Sequence, residues 1–179
     1  MHVPDASEDT AVQRSIPPME RELDPATLGD HVDRLYRAAW ALCGKREDAE
    51  DLVQETYARV LARPRFLRGE DNIGYLLRVL RNTFLNWLRT QSRRPRTGEL
   101  PEGVEPVEER SATQPERALE AKEVYEAISA LPDDFRDVIV AVDVAGLSYR
   151  EAADLLKTKE GTVMSRLYRA RQQIARTLG

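Results

Sequence analysis

A helical hydrophobic period runs through nearly every apolar stretch of this chain, and it limits the fold more than any other feature. Val32, Leu35, Tyr36, Ala39, Leu42 and Cys43 recur at the i, i+3, i+4, i+7 spacing that lines one helix face. Gly44 then suits a helix end. Ala49, Leu52, Val53, Thr56, Val60 and Leu61 form a second stripe, with carboxylates early, where the helix dipole favours them. Ile73, Leu76, Leu77, Leu80, Phe84, Trp87 and Leu88 form a third, long enough to expect one bend or break. Ala121, Val124, Tyr125, Ile128 and Leu131 form a fourth, and Phe135, Val138, Ile139 and Val142 a fifth, after a Pro132-Asp-Asp helix start. No stretch alternates polar and apolar residues with period two, and no longer repeat occurs. The expected fold is all-α.

Two interruptions divide the pattern. "RPRFLRGED" holds Pro64 and Gly69 and reads as a loop. "RRPRTGELPEGVEPVEERSATQPER" is rich in proline and glutamate and too polar to build core. The expected organisation is a disordered tail at 1–25, a helical domain at 26–94, a linker at 95–117 and a second helical domain at 118–179. These are two small helical domains on a flexible acidic linker.

Several function classes are poorly supplied. Cys43 is the only cysteine, so an internal disulfide and a cysteine-rich zinc site are excluded, and its apolar position suits a buried structural thiol. His2 and His31 are the only histidines, so neither a metal centre nor a His-based triad is expected, and no cofactor is. No apolar run reaches the roughly 18 residues of a membrane span. The N-terminus lacks the basic start and apolar core of a signal peptide, so a cytoplasmic protein is expected.

The net charge of −4 hides a segregation of signs. Acid gathers in the tail and in the linker (Glu99, Glu102, Glu105, Glu108, Glu109), whereas Arg78, Arg81, Arg89, Arg93, Arg94 and Arg96 span a stretch without acid. Local fields decide what approaches a surface. Along the third stripe, arginines interleave with Tyr75, Asn82, Phe84, Asn86 and Trp87, a mixture able to hold a phosphate backbone and stack or read unpaired bases. Phe84 and Trp87 are in phase with Leu80 and Leu88 and read as core, whereas Tyr75 and the asparagines are expected outside.

"SYREAADLLKTKEGTVMSRLYRAR" (148–171) has the form of a helix-turn-helix. Ser148 and Glu151 make a capping box, and Ala152, Ala153, Leu155 and Leu156 line the first helix. Val163, Leu167, Ala170, Ile174 and Leu178 line the second, whose other face offers Thr162, Ser165, Arg166, Arg169 and Gln173. Its arginines have no acid at i+4, so their charge is expected to be free for phosphate. A helical hairpin with a solvated basic face is the bland alternative.

"DAEDLVQET" (48–56), "YLLRVLRNTFLNWLR" (75–89), "LPDDFRDVIV" (131–140) and "GLSYREAADLLKTKEGTVMSRLYRARQQI" (146–174), in that order and spacing, resemble the bacterial extracytoplasmic-function (ECF) RNA polymerase sigma factors. The resemblance covers roughly Leu28 to Leu178. It implies that the first domain is sigma domain 2 and the second sigma domain 4. The acidic connector would then thread towards the polymerase active-site and RNA-exit channels. It also implies core RNA polymerase, through its β and β′ subunits, and promoter DNA as partners, an anti-sigma factor as regulator, and no catalysis by the chain itself.

Residue by residue, the resemblance carries polymerase docking to Asp51, Gln54 and Glu55. Contact with the −10 element falls to Arg63, Phe66, Tyr75, Arg78, Arg81, Asn82, Asn86, Arg89 and Arg93, with the 63–72 loop capturing a flipped base. Contact with the −35 element falls to Thr162, Ser165, Arg166, Tyr168 and Arg169. The chain departs from the family at Tyr75 (more often Trp), Asn86 (commonly Asp), Lys157 (usually Gly) and Met164 (frequently basic). Lys157 is expected to need a positive φ at a cost of about 1 kcal/mol. A free-standing helix-turn-helix regulator would have no need of "DLVQE" or of the Arg/Asn/aromatic helix. A protein-only adaptor would leave the outward arginines unexplained.

Overall fold

The computed structural model describes residues 20–62, 66–68, 72–93 and 115–179, with side chains described for 23–62, 72–92 and 119–179. A 3-10 turn at Pro25–His31 leads into α1 (Val32–Cys43), followed by α2 (Arg46–Leu61) and α3 (Asn72–Arg93). Gly44, at φ 77°, ends α1 by returning its N–H to the Trp40 carbonyl at 2.7 Å. Leu35, Ala38 and Ala39 of α1, Ala49 and Thr56 of α2, and Leu76 and Leu80 of α3 are almost wholly buried. The small residues let helix axes approach closely, and Thr56 hides its hydroxyl by donating to the Leu52 carbonyl at 2.7 Å. Of the bend or break expected in the third stripe, a break is absent: one helix of 22 residues runs from Asn72 to Arg93.

Two short strands qualify the all-α picture. β1 (Glu20–Glu22) pairs antiparallel with β2 (Phe66–Arg68), so the expected tail and the expected loop meet in a two-stranded ribbon. Three-residue strands carry too little alternation to show a period in the sequence. The tail reading therefore fails at its C-terminal end. Glu20–Glu22 are paired, Leu23 is buried, and Asp24 caps the 3-10 turn by accepting from the Ala26 N–H at 2.9 Å.

The second half comprises α4 (Pro115–Ser129), α5 (Asp133–Ile139), a π-helical turn at Val140–Val144, α6 (Tyr149–Leu156) and α7 (Glu160–Leu178). α4 starts inside the stretch expected to be linker; residues 94–114 lie outside the described residues. The capping box is present at α6: the Glu151 N–H donates to Ser148 Oγ at 3.3 Å, and the Ser148 N–H donates to Glu151 Oε2 at 2.7 Å. Lys157 ends α6 in the left-handed region at φ 53°, ψ 48°, as expected of a residue standing in a glycine position. Ala152 and Ala153 of α6 and Val163, Leu167 and Ala170 of α7 are all buried, and the two helices pack together.

The two halves are not separate in space. Their buried side chains form one continuous apolar core. Trp40 of α1 packs on Tyr125 of α4, with ring centroids 4.4 Å apart. Gly44 sits against Ser129, leaving no room for a side chain. Arg34 donates Nε to the Ala145 carbonyl at 3.1 Å. The Arg136 guanidinium lies 5.1 Å from the centre of the Phe84 ring. Arg81 of α3 forks onto Asp137 of α5, with N···O distances of 2.9 and 2.6 Å.

Candidate nucleic-acid interface

α7 is held against α5 and α6 by its buried stripe, which fixes its outward face. Ser165, Tyr168 and Arg169 are exposed on that face, Thr162 is half-buried, and Met164 projects with 54% of its surface free. Gly161 and Ser165 are small, so the first turns of the helix can approach a groove floor closely.

The expectation of free arginines fails in two places. Arg166 donates to Asp134 of α5 at 2.6 Å, and Arg171 forks onto Asp143 at 2.9 and 2.6 Å. Counting acids at i+4 could not find these partners, because they arrive from another helix and from the π-helical turn. Arg169 makes no ion pair among the described residues.

α3 presents Arg78, Asn82, Asn86 and Arg89 as exposed side chains. Asn86 accepts from Arg89 Nη1 at 3.1 Å, which pre-orients both groups. Two expected contacts lie deeper. Tyr75 is half-buried and packs on the core rather than facing outward. Arg81 is engaged by Asp137, whose side chain is only 8% exposed. The adjacent charges Arg136 and Asp137 inside the apolar run "FRDVIVAV" were the available signal that another charge must meet them. Phe84 is buried, as its phase implied, and Trp87 is half-buried. Arg63 and the side chains of Phe66 and Arg93 lie outside the described residues.

On α2, Asp51, Gln54 and Glu55 are exposed together. Glu55 is bonded to Arg59 at 2.7 Å across one helical turn. Asp51, Glu55 and Arg59 border a groove of about 410 Å³ between α2 and α3, floored by Leu52, Phe84 and Trp87. Asn86 lines the same groove, so residues assigned to different partners share one recess. Cys43 lies on its wall, with its thiol donating to the Ala39 carbonyl at 2.7 Å. Burial, and then the Asp48 carboxylate, push that thiol up to about 12, so it stays protonated at neutral pH. No group of side chains suited to a metal ion occurs among the described residues, and no described helix is long and apolar enough to cross a membrane.

Comparison with known proteins agrees with this geometry. Residues 28–94 match the family described as Sigma-70 region 2, and residues 121–174 match Sigma-70, region 4. The ECF RNA polymerase sigma factor SigE of Mycolicibacterium smegmatis is 38% identical over 80% of this chain, which spans 57% of that relative's length. The ECF RNA polymerase sigma-E factor of Haemophilus influenzae is 33% identical over 72% of this chain and 74% of its own. Among solved structures, the sigma factor RpoE of Bartonella quintana, crystallised with the anti-sigma factor NepR, superposes with a TM-score of 0.68. It is 27% identical and covers 86% of this chain and 94% of its own. With both sigma regions in order, and a relative 33% identical matched over 74% of its own length, the chain belongs to the ECF group of sigma-70 family RNA polymerase sigma factors.

Proposed function

We propose that this chain is a dissociable promoter-specificity subunit of RNA polymerase that directs transcription initiation and catalyses nothing itself. One observation carries the reading: a single chain holds an exposed acid–amide face on α2, an Arg/Asn face on α3 and a small-polar/Arg face on α7. A regulator that bound only duplex DNA would need the last of these alone. Asp51, Gln54 and Glu55 dock on core polymerase. Asn82, Asn86, Arg78 and Arg89, with the 63–72 loop, take the unpaired −10 strand. Ser165, Tyr168 and Arg169 read the −35 duplex in the major groove, flanked by Thr162 and Arg166.

Arg81, held by Asp137 with 31% of its side chain exposed, joins the −10 set once Asp137 releases it. The Bartonella relative was crystallised with an anti-sigma factor, and a protein regulator of the same kind is proposed for this chain, acting in the cytoplasm.

The test is run-off transcription with purified core polymerase on genomic fragments, followed by start-site mapping. Discrete starts that need both core and this chain are expected. Asp51→Ala with Gln54→Ala should weaken core binding about tenfold or more with helical content unchanged. Duplex binding without any core-dependent transcript would favour the free-standing regulator.

A further inference from the structure

Residues 20–31 embrace the connection between α2 and α3 at its middle and at both ends. In the middle, β1 pairs with β2 in the register Glu20–Arg68, Arg21–Leu67, Glu22–Phe66. At the end of α2, the Tyr57 hydroxyl donates to the Leu28 carbonyl at 2.9 Å. At the start of α3, buried Asn72 donates Nδ2 to Thr27 Oγ1 at 2.7 Å, and that hydroxyl donates onward to the Asp24 carbonyl at 2.8 Å. Leu23, the residue after β1, is buried in the core together with Leu28.

The physical logic is one of anchoring. A two-stranded ribbon of three residues a side is marginal alone. Here its N-terminal strand is pinned by Leu23 one residue away and by the Asn72–Thr27–Asp24 relay just beyond. Filling core would account for Leu23 and Leu28. It accounts neither for the main-chain pairing nor for the relay, which bind the segment to the connection itself. A loop that must grip an extruded base performs best when its ordering entropy has been met before binding.

We propose that Glu20–Thr27 is a positioning element of −10 recognition, holding the Phe66–Arg68 strand in place before DNA is met. This rests on the reading of the 63–72 loop given under the proposed function.

The test uses holoenzyme reconstituted with full-length chain on templates pre-opened around −10, carrying each of the four bases at the captured position. The quantity read is the ratio of run-off product between best and worst base. Arg21→Pro removes a strand N–H and disfavours pairing while sparing Leu23. It should lower the ratio about fivefold or more, with core affinity and −35 duplex affinity held within about twofold. A chain lacking residues 1–22 should behave alike, which covers the case that the proline variant fails to fold. Phe66→Ala probes the loop directly. If Phe66→Ala changes base preference while neither Arg21→Pro nor the truncation does, the positioning role is overturned and the loop reading stands. If none of the three changes it, both fall. Equal losses in core, −35 and −10 binding at an unchanged ratio would reduce the segment to a structural cover and overturn the proposal.

Discussion

Ser148 and Glu151 hold the first turn of α6 by reciprocal hydrogen bonds, so two single residues govern how the helix-turn-helix begins. The Ser148 hydroxyl and N–H stabilise the Glu151 carboxylate and hold its pKa below the ordinary glutamate value. A carboxyl depressed in the folded state contributes stability above its unfolded pKa and loses it as pH falls through the folded one. Ser148→Ala should therefore cost about 1 kcal/mol at neutral pH. The gap between the variant and the parent should narrow in acid, below the usual carboxylate range. Urea titrations at neutral and acidic pH measure both; a gap that stays constant with pH would contradict the assignment. Lys157, held at φ 53° where glycine would be unstrained, shows the same residue-level determinism.

At the scale of the element, α7 is a helix whose charge is partly spoken for. Asp134 and Asp143 engage Arg166 and Arg171, leaving Ser165, Tyr168 and Arg169 as the exposed set proposed to read the −35 duplex. Arg169→Ala should weaken binding to −35 duplex by about 1–3 kcal/mol if it reads a base. Asp134→Asn should do the opposite by releasing Arg166 to phosphate. It should raise duplex affinity and steepen the dependence of log K on log salt by about one. Anisotropy titrations across a salt series give both quantities, and a slope unchanged by Asp134→Asn would show that Arg166 does not reach the backbone.

At the scale of the whole molecule, one core joins the two halves, and their seam is made of specific polar contacts as well as packing. Asp137 is nearly buried, whereas the Arg81 side chain keeps 31% of its surface exposed, so removing the acid releases Arg81 towards water rather than stranding it. Asp137→Asn should weaken the closed arrangement by about 1–3 kcal/mol. It should also expand the radius of gyration in small-angle scattering and raise affinity for single-stranded −10 oligonucleotide, because Arg81 becomes available. Unchanged scattering together with unchanged affinity would show that the Arg81–Asp137 contact does not hold the halves together.

What the sequence determined alone is local in origin. The helical period, the Gly44 stop and the capping box each depend on residues within about one turn, so each was legible before any fold was known, whereas the left-handed Lys157 was expected from the glycine usual at that place in the resembled family. The inward phase of Phe84 followed from the helical period, whereas Asp51, Gln54 and Glu55 were singled out by the family resemblance. Tertiary structure alone decided the contacts that join distant segments: Arg81 with Asp137, Arg166 with Asp134, Trp40 with Tyr125, and Glu20–Glu22 with Phe66–Arg68. Periodicity states which side of a helix is buried but not what covers it. An arginine looks the same in sequence whether its acid lies four residues away or fifty-six.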